Sequence, residues 1–120
     1  MPVDNLDRML SFQSEALRLR SQRQELLAAN MANADTPNYK AVDIDFASAL
    51  RNATSEPRGA SGAPAQPAVL YRMPSQPALD GNSVEMDAER AHFADNTVRY
   101  EAALRVLNAQ IKAMLSVLQG

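Results

Sequence analysis

From Asp87 to Leu118 the apolar residues fall alternately four and three apart. Phe93, Thr97, Tyr100, Leu104, Leu107, Ile111, Met114 and Leu118 form a heptad seam, and neither Gly nor Pro interrupts it before Gly120. Such a run can only be one long helix, about 45–50 Å at 1.5 Å per residue. Asp87 is expected as its N-cap, with Glu89 in the first turn at the positive end of the helix dipole. Ala103, Val106, Ala113 and Val117 flank the seam, and Ala113 to Leu118 is apolar almost all round. A helix of that kind is covered on several sides. A chain of 120 residues offers only one other long helix to cover it.

That second helix is expected from about Val3 to Ala34. Leu6, Leu10, Leu17, Leu27 and Met31 lie on one row of three- and four-residue spacing, interrupted by Gln13, Arg20 and Gln24. Met9, Phe12, Ala16, Leu19 and Leu26 make a second row. Asp4 can cap the start, and Asp7 suits the dipole. Arg18, Arg20 and Arg23 read as a solvated face pairing with Glu15 and Glu25, or as a contact for an acidic neighbouring subunit. Much of the 46% hydrophobic content is Ala, Trp is absent and only 5% of residues are aromatic, so a large single core is not expected.

The junction after this helix, Asn30 to Phe46, has the chemistry of a helix end and a tight turn. Asn30, Asn33, Asp35 and Thr36 can bond nearby backbone groups. Pro37 fixes its own φ and disfavours the α conformation at Thr36, so the helix stops before it. Asn38 tolerates positive φ, and Tyr39 can pack its ring on the helix with its hydroxyl in water. Val42, Ile44 and Phe46 alternate with Asp43 and Asp45 as in a short strand, and Phe46 to Asn52 allows one or two helical turns. Five of the seven prolines fall between Thr54 and Pro77, with Gly59 and Gly62, a composition that forms no packed core. Val69 to Met73 and Val84 to Met86 are expected as short extended pieces, able to join the first strand in a small sheet. Asp80-Gly81 is a turn signal.

The expected fold is mostly α. Its segments are 1–36, an N-terminal helix; 37–85, a turn, short strands and Pro/Gly-rich linker; and 86–120, the heptad helix. The two long helices form a coiled-coil-like pair.

No set of residues suited to catalysis stands out. His92 is the only histidine and there is no cysteine, which leaves no triad and no zinc site and reads His92 as structural. Asp43 and Asp45 share a face if extended but read as water-facing strand-edge carboxylates. Asp80-Gly81-Asn82 lacks the spacing of a calcium loop. The methionines read as packing residues. No cofactor or metal is expected. A net charge of −2 and a pI near 5.3 give no reason to expect nucleic acid. No stretch approaches the length of a membrane span, and the acidic, polar N-terminus is no cleavable secretory signal.

Asn30-Met31-Ala32-Asn33-Ala34-Asp35-Thr36-Pro37-Asn38-Tyr39-Lys40 resembles the N-terminal signature of the bacterial flagellar rod and hook protein family. Asp43-Ile44-Asp45-Phe46 is similar to its proximal rod members. That family usually has Gly where this chain has Asn38, a departure that keeps the left-handed turn. Asp80 to Asp87, followed by Asn96-Thr97-Val98-Arg99-Tyr100, is similar to the start of the family's C-terminal helix. The resemblance covers both ends but not the Pro-rich middle. It implies a structural subunit of the flagellar basal-body rod, polymerising through its terminal helices, with no enzymatic activity. It also implies export by the flagellar type III apparatus without a cleaved signal, and a place in the rod where it crosses the periplasm. The implied partners are copies of itself, the other rod proteins and a small adaptor joining rod to membrane ring.

Expected subunit contacts are Leu6, Leu10, Leu17, Leu27, Met31, Phe93, Tyr100, Leu104, Leu107, Ile111, Met114 and Leu118. The turn motif is Asn30, Asn33, Thr36, Pro37, Asn38 and Tyr39. The heptads alone equally fit a helical adaptor that docks a partner helix in a groove.

Overall fold

In a computed structural model, residues 2–55, 69–73 and 78–120 are described, with side chains for all but 2–4 and 55. Most of the linker between Thr54 and Pro77 lies outside them, and Asp4, expected as a cap, falls within the first turn of the helix because helical backbone already begins at Pro2. The apolar rows of the N-terminal segment form α1, Pro2–Ala32, with a proline in the first turn where its missing N–H is harmless. Asn33 N bonds Ala29 O at 3.1 Å, and 3₁₀-like turns then unwind the chain towards Pro37. Asn38 has φ +64°, and Tyr39 N closes on Thr36 O at 3.2 Å. Pro at the second position and positive φ at the third is the pattern of a type II turn.

Val42–Ile44 forms β1 and Val69–Tyr71 forms β2, paired antiparallel with Asp43 opposite Leu70. Between them lies α2, Phe46–Ser55. The expected alternation therefore stops at Ile44, because Asp45 caps α2: Ser48 N bonds its Oδ1 at 3.3 Å and Ser48 Oγ its Oδ2 at 2.9 Å. Phe46 is the first residue of that helix rather than the end of a strand. Val84–Met86 does not join the sheet, which has two strands among the described residues.

The heptad run forms α3, Met86–Gln119. Its N-cap is Glu85, not Asp87, and no side chain caps it. Asn82 and Ser83 tie the preceding segment to the α1 turn in extended form, and Glu89 N makes its helical bond to Glu85 O at 2.9 Å. Helical geometry thus begins one residue ahead of Asp87. The two long helices run antiparallel: Asn30 meets Glu89, Gln24 meets Thr97 and Arg20 meets Asn96. The result is a hairpin with principal extents of 64 × 31 × 19 Å.

Among the described residues the buried apolar ones are Ala16, Leu19, Leu27, Ala41 and Ile44, all in the half of the hairpin nearer the turn or at its middle. The contact stripe on α3 is rotated from the seam read in the sequence. Its buried residues are Glu89 and Asn96, with Phe93, Ala103, Leu107, Gln110 and Met114 half-buried beside them. Leu104 and Ile111 are about two-fifths exposed, and Leu118 is 80% exposed. A single antiparallel partner covers only one side of α3, so the other edge of the seam remains open. Met9 and Met73 are likewise exposed rather than packed.

Candidate functional site

The closed end of the hairpin is built from polar side chains. Asn30, wholly buried, donates from Nδ2 to Val42 O at 2.7 Å and to Glu89 Oε2 at 3.1 Å, and its Oδ1 accepts from Val42 N at 3.0 Å. One amide therefore joins α1, β1 and α3. The Tyr39 hydroxyl turns inward, 3.5 Å from Asn30 Oδ1, rather than standing free in water. Asn33 Nδ2 caps Ala29 O at 2.8 Å, and its Oδ1 accepts from Thr36 Oγ1 at 3.1 Å.

The second turn locks onto the first. Asn82 Nδ2 lies 2.9, 3.0 and 2.7 Å from the carbonyls of Asn33, Ala34 and Thr36. Asn33 O and Thr36 O also accept from Thr36 N and Tyr39 N, and Asn82 is the described donor to Ala34 O, beyond the end of α1 where helix carbonyls lack intrahelical partners. Asn82 Oδ1 accepts from Val84 N at 2.7 Å, Ser83 Oγ from Ala41 N at 2.7 Å, and Asp80 O from Asn38 N at 2.8 Å. Gly81 has φ +75°, and a Cβ there would stand 2.3 Å from Asn38 Oδ1. Lys40 Nζ donates to the Gly81 carbonyl.

Charges complete this end. Arg23 grips Asp43 in a fork, Nε to Oδ1 at 2.9 Å and an Nη to Oδ2 at 3.1 Å. Arg72 bridges Asp43 and Glu89. Asp43 is thus an ion-paired, largely covered group rather than a water-facing strand-edge carboxylate. Burial alone pushes its pKa up. Arg23, the Ile44 amide and Arg72 more than offset that, and hold it below its ordinary value. Of the clustered arginines only Arg18 pairs locally, with Glu15 at 2.9 Å. The Arg20 guanidinium stacks 3.5 Å from the Phe46 ring centroid, an attractive cation–π contact. On α3, Asn96 Nδ2 donates to Arg20 O at 2.9 Å and Gln24 Oε1 at 2.7 Å, while Gln24 Nε2 reaches Thr97 Oγ1 at 2.7 Å. Gln24 and Arg20, which interrupt the apolar row in the sequence, are the residues that recognise α3.

The open end has the opposite character. Leu6, Met9 and Phe12 on α1, and Leu104, Val106, Ile111, Leu115, Val117 and Leu118 on α3, all keep substantial exposure. Among the expected contacts, Leu10, Leu17, Met31, Phe93, Leu107 and Met114 are half-buried, and Tyr100 lies at 36% exposure. Leu27 is wholly buried within the chain itself. Among the described residues no group of three or more His, Cys, Asp or Glu could hold a metal ion, and no helix is long and apolar enough to cross a membrane. The arrangement is suited to holding a helix pair shut at one end while offering apolar surface at the other.

Residues 10–40 match the family model described as flagella basal body rod protein. The chain is 53% identical to the flagellar basal body rod protein FlgB of Salmonella typhimurium strain LT2 and 50% identical to that of Escherichia coli strain K12. Each comparison covers 98% of both chains. It is 44% identical to the protein of that name from Cereibacter sphaeroides, over 92% of this chain and 94% of the relative. The Salmonella comparison runs over 135 positions, more than the 120 residues of this chain, so that relative carries residues which this chain lacks.

Proposed function

The chain belongs to the flagellar basal body rod protein family, and from that membership we propose how its structure serves the rod. It is a structural rod subunit of the flagellar basal body. It polymerises through the open end of its helix hairpin, and the polar closed end fixes the geometry in which that surface is presented. The observation that carries this reading is the apolar surface left uncovered by the chain's own fold, above all Leu104, Ile111, Val117 and Leu118 on α3 and Leu6, Met9 and Phe12 on α1. Contiguous exposed apolar surface marks a site of association.

At about 25 cal/mol per Å², a few hundred Å² of apolar contact per neighbour contributes several kcal/mol before association costs. Neighbours related by a heterologous, non-closing contact build a helical shaft rather than a closed ring. The remaining expected contacts, Leu10, Leu17, Met31, Phe93, Tyr100, Leu107 and Met114, edge this surface and add to it where a neighbour wedges between the helices. Leu27 supports it from within. The partners are copies of this chain, other rod proteins and a small adaptor at the membrane ring. The subunit reaches the periplasmic rod through the flagellar type III export apparatus, with no signal removed. Full-length likeness to rod proteins favours this reading over a free-standing adaptor.

Ile111→Asp tests it. A carboxylate at an exposed helical position leaves the monomer intact but disfavours burial against a neighbour. The variant should be made and exported normally yet be absent from purified basal bodies. Normal incorporation would remove this face of α3 from the interface.

A further inference from the structure

Glu89 is the most deeply buried charge among the described residues, with 1% of its side chain exposed. It sits on α3 where that helix meets the end of α1. Its described partners are the neutral amide of Asn30, at 3.1 Å, and the guanidinium of Arg72. Arg72 belongs to neither helix. It directly follows β2, and its own N–H bonds Ala41 O at 2.9 Å. The strand ahead of it pairs with β1 but buries little side chain: Val69, Leu70 and Tyr71 all turn more than half of their surface to solvent. The other carboxylate that Arg72 touches, Asp43, has a second cation in Arg23. The two acids therefore respond differently to loss of Arg72. Asp43 stays paired, whereas Glu89 is left between the helices without a positive charge. A buried pair broken on one side is strongly destabilising, because the remaining charge keeps its desolvation penalty.

We propose that residues 69–73 are a latch on the hairpin: Arg72 supplies the cation that lets Glu89 be buried, so α1 and α3 close at their turn end only with this strand seated. The strand's small apolar contribution is then beside the point. Its role is electrostatic, and it links the middle of the chain to the geometry of both terminal helices. A subunit whose middle segment is displaced opposes closure of its own helix pair, and one whose strand is seated presents the pair as a unit. This rests on the reading of the open end as the assembly surface.

The test is recovery of the subunit in purified basal bodies, for the unaltered chain, Arg72→Met, Glu89→Gln and the double variant. Arg72→Met should lower recovery by ~10-fold or more, the scale expected when a buried charge loses its partner. Glu89→Gln keeps an acceptor for Asn30 and leaves Arg72 on Asp43, so recovery should be near normal. In the double variant nothing buried needs the cation, and recovery should return to within ~2–3-fold of the unaltered chain, non-additive as for any directly coupled pair. A double variant as poor as Arg72→Met would overturn the latch, since Arg72 would then matter for some other contact. Undiminished recovery of Arg72→Met would overturn it too. Absence of the unaltered chain from basal bodies would instead sink the rod reading, so the two failures are distinguishable.

Discussion

Asn82 places one side-chain nitrogen within 3.0 Å of three carbonyls at the end of α1. An NH₂ group has two hydrogens, so at least one is shared. If the amide is removed Ala34 O loses its described donor and Val84 N loses Oδ1, while Asn33 O and Thr36 O each keep one backbone donor, Thr36 N and Tyr39 N. Asn82→Ala should destabilise the hairpin by ~2–4 kcal/mol, the range for one carbonyl and one N–H left unpaired together with two weakened acceptors. Asn82→Asp should be worse, since a carboxylate would face three carbonyls. Urea melts in a sulfate-stabilised buffer measure both. Gly81 and Asn38 form a second coupled pair. Asn38→Gly relieves a side chain of positive φ and should lie between neutral and ~1 kcal/mol stabilising. It also removes the atom that a Cβ at 81 would strike. Gly81→Ala should therefore be milder in the Asn38→Gly background, though the positive φ at 81 keeps some penalty. Equal effects in both backgrounds would contradict the clash. Asp43 gives the pH dependence. Its folded pKa lies below the ordinary carboxylate value, so its contribution is complete above about pH 4 and is lost as pH falls through the folded value. Stability should decline on acidification below about pH 4, and Asp43→Asn should flatten that part of the profile.

The secondary-structure elements were largely legible in the sequence, and their mutual rotation was not. Three- and four-residue spacing locates both long helices, Thr36-Pro37-Asn38 locates the turn, and the two short apolar runs that pair as β1 and β2 also stand out. These signals are local, carried by residues within one or two turns of each other. The closed end depends on partners far apart in the chain. Arg23 and Asp43 are 20 residues apart, Arg72 and Asp43 are 29 apart, and Asn30 and Glu89 are 59 apart. Nothing in the spacing of an isolated Asp in a strand announces two arginines. The polar residues Asn30, Glu89 and Asn96 are buried although they lie off the apolar rows, so the contact stripe on α3 is displaced from the apolar seam. Gln110 shows the consequence. It looks like a position beside the seam, yet its Oε1 is buried with no hydrogen-bond partner among the described residues. Gln110→Asp should therefore weaken the α1–α3 contact within one chain, whereas Ile111→Asp should spare it. Leu19→Ala, at 1% exposure, should cost about 2–5 kcal/mol in the hairpin itself. Comparing these three by helix content before assembly separates folding residues from assembly residues. Equal loss at 110 and 111 would argue against the rotation.

On the scale of the molecule, five buried apolar residues among those described serve two helices of 31 and 34 residues. Ordering a residue costs roughly 1–2 kcal/mol of backbone entropy, which local hydrogen bonding and so small a core offset only in part. Polar contacts tighten the turn end, but among the described residues nothing comparable holds the open end, where Val117 and Leu118 are about four-fifths exposed. The subunit should therefore fray from the open end when dilute, because helix that has no packing partner is marginal in water. Hydrogen exchange on the isolated chain should show slow amides around Leu27–Ala32 and Met86–Asn96, and fast amides in the first and last two turns of the hairpin. Circular dichroism should show helix content rising with protein concentration as neighbours cover the open end. The helix pair is fixed in register by Gln24, Asn30, Asn82 and Asn96, so additions there would break bonds along the whole hairpin. Loop closure, by contrast, depends only weakly on length. Small Gly/Ser insertions between Thr54 and Ala65 should therefore leave motility intact in a complementation assay. Insertions of the same length between Gln24 and Asn30 should abolish it. Loss of motility from the linker insertions, with normal protein level and export, would show that this segment makes contacts in the rod. A concentration-independent, fully helical monomer would show that the open end holds itself closed and has no need of neighbours.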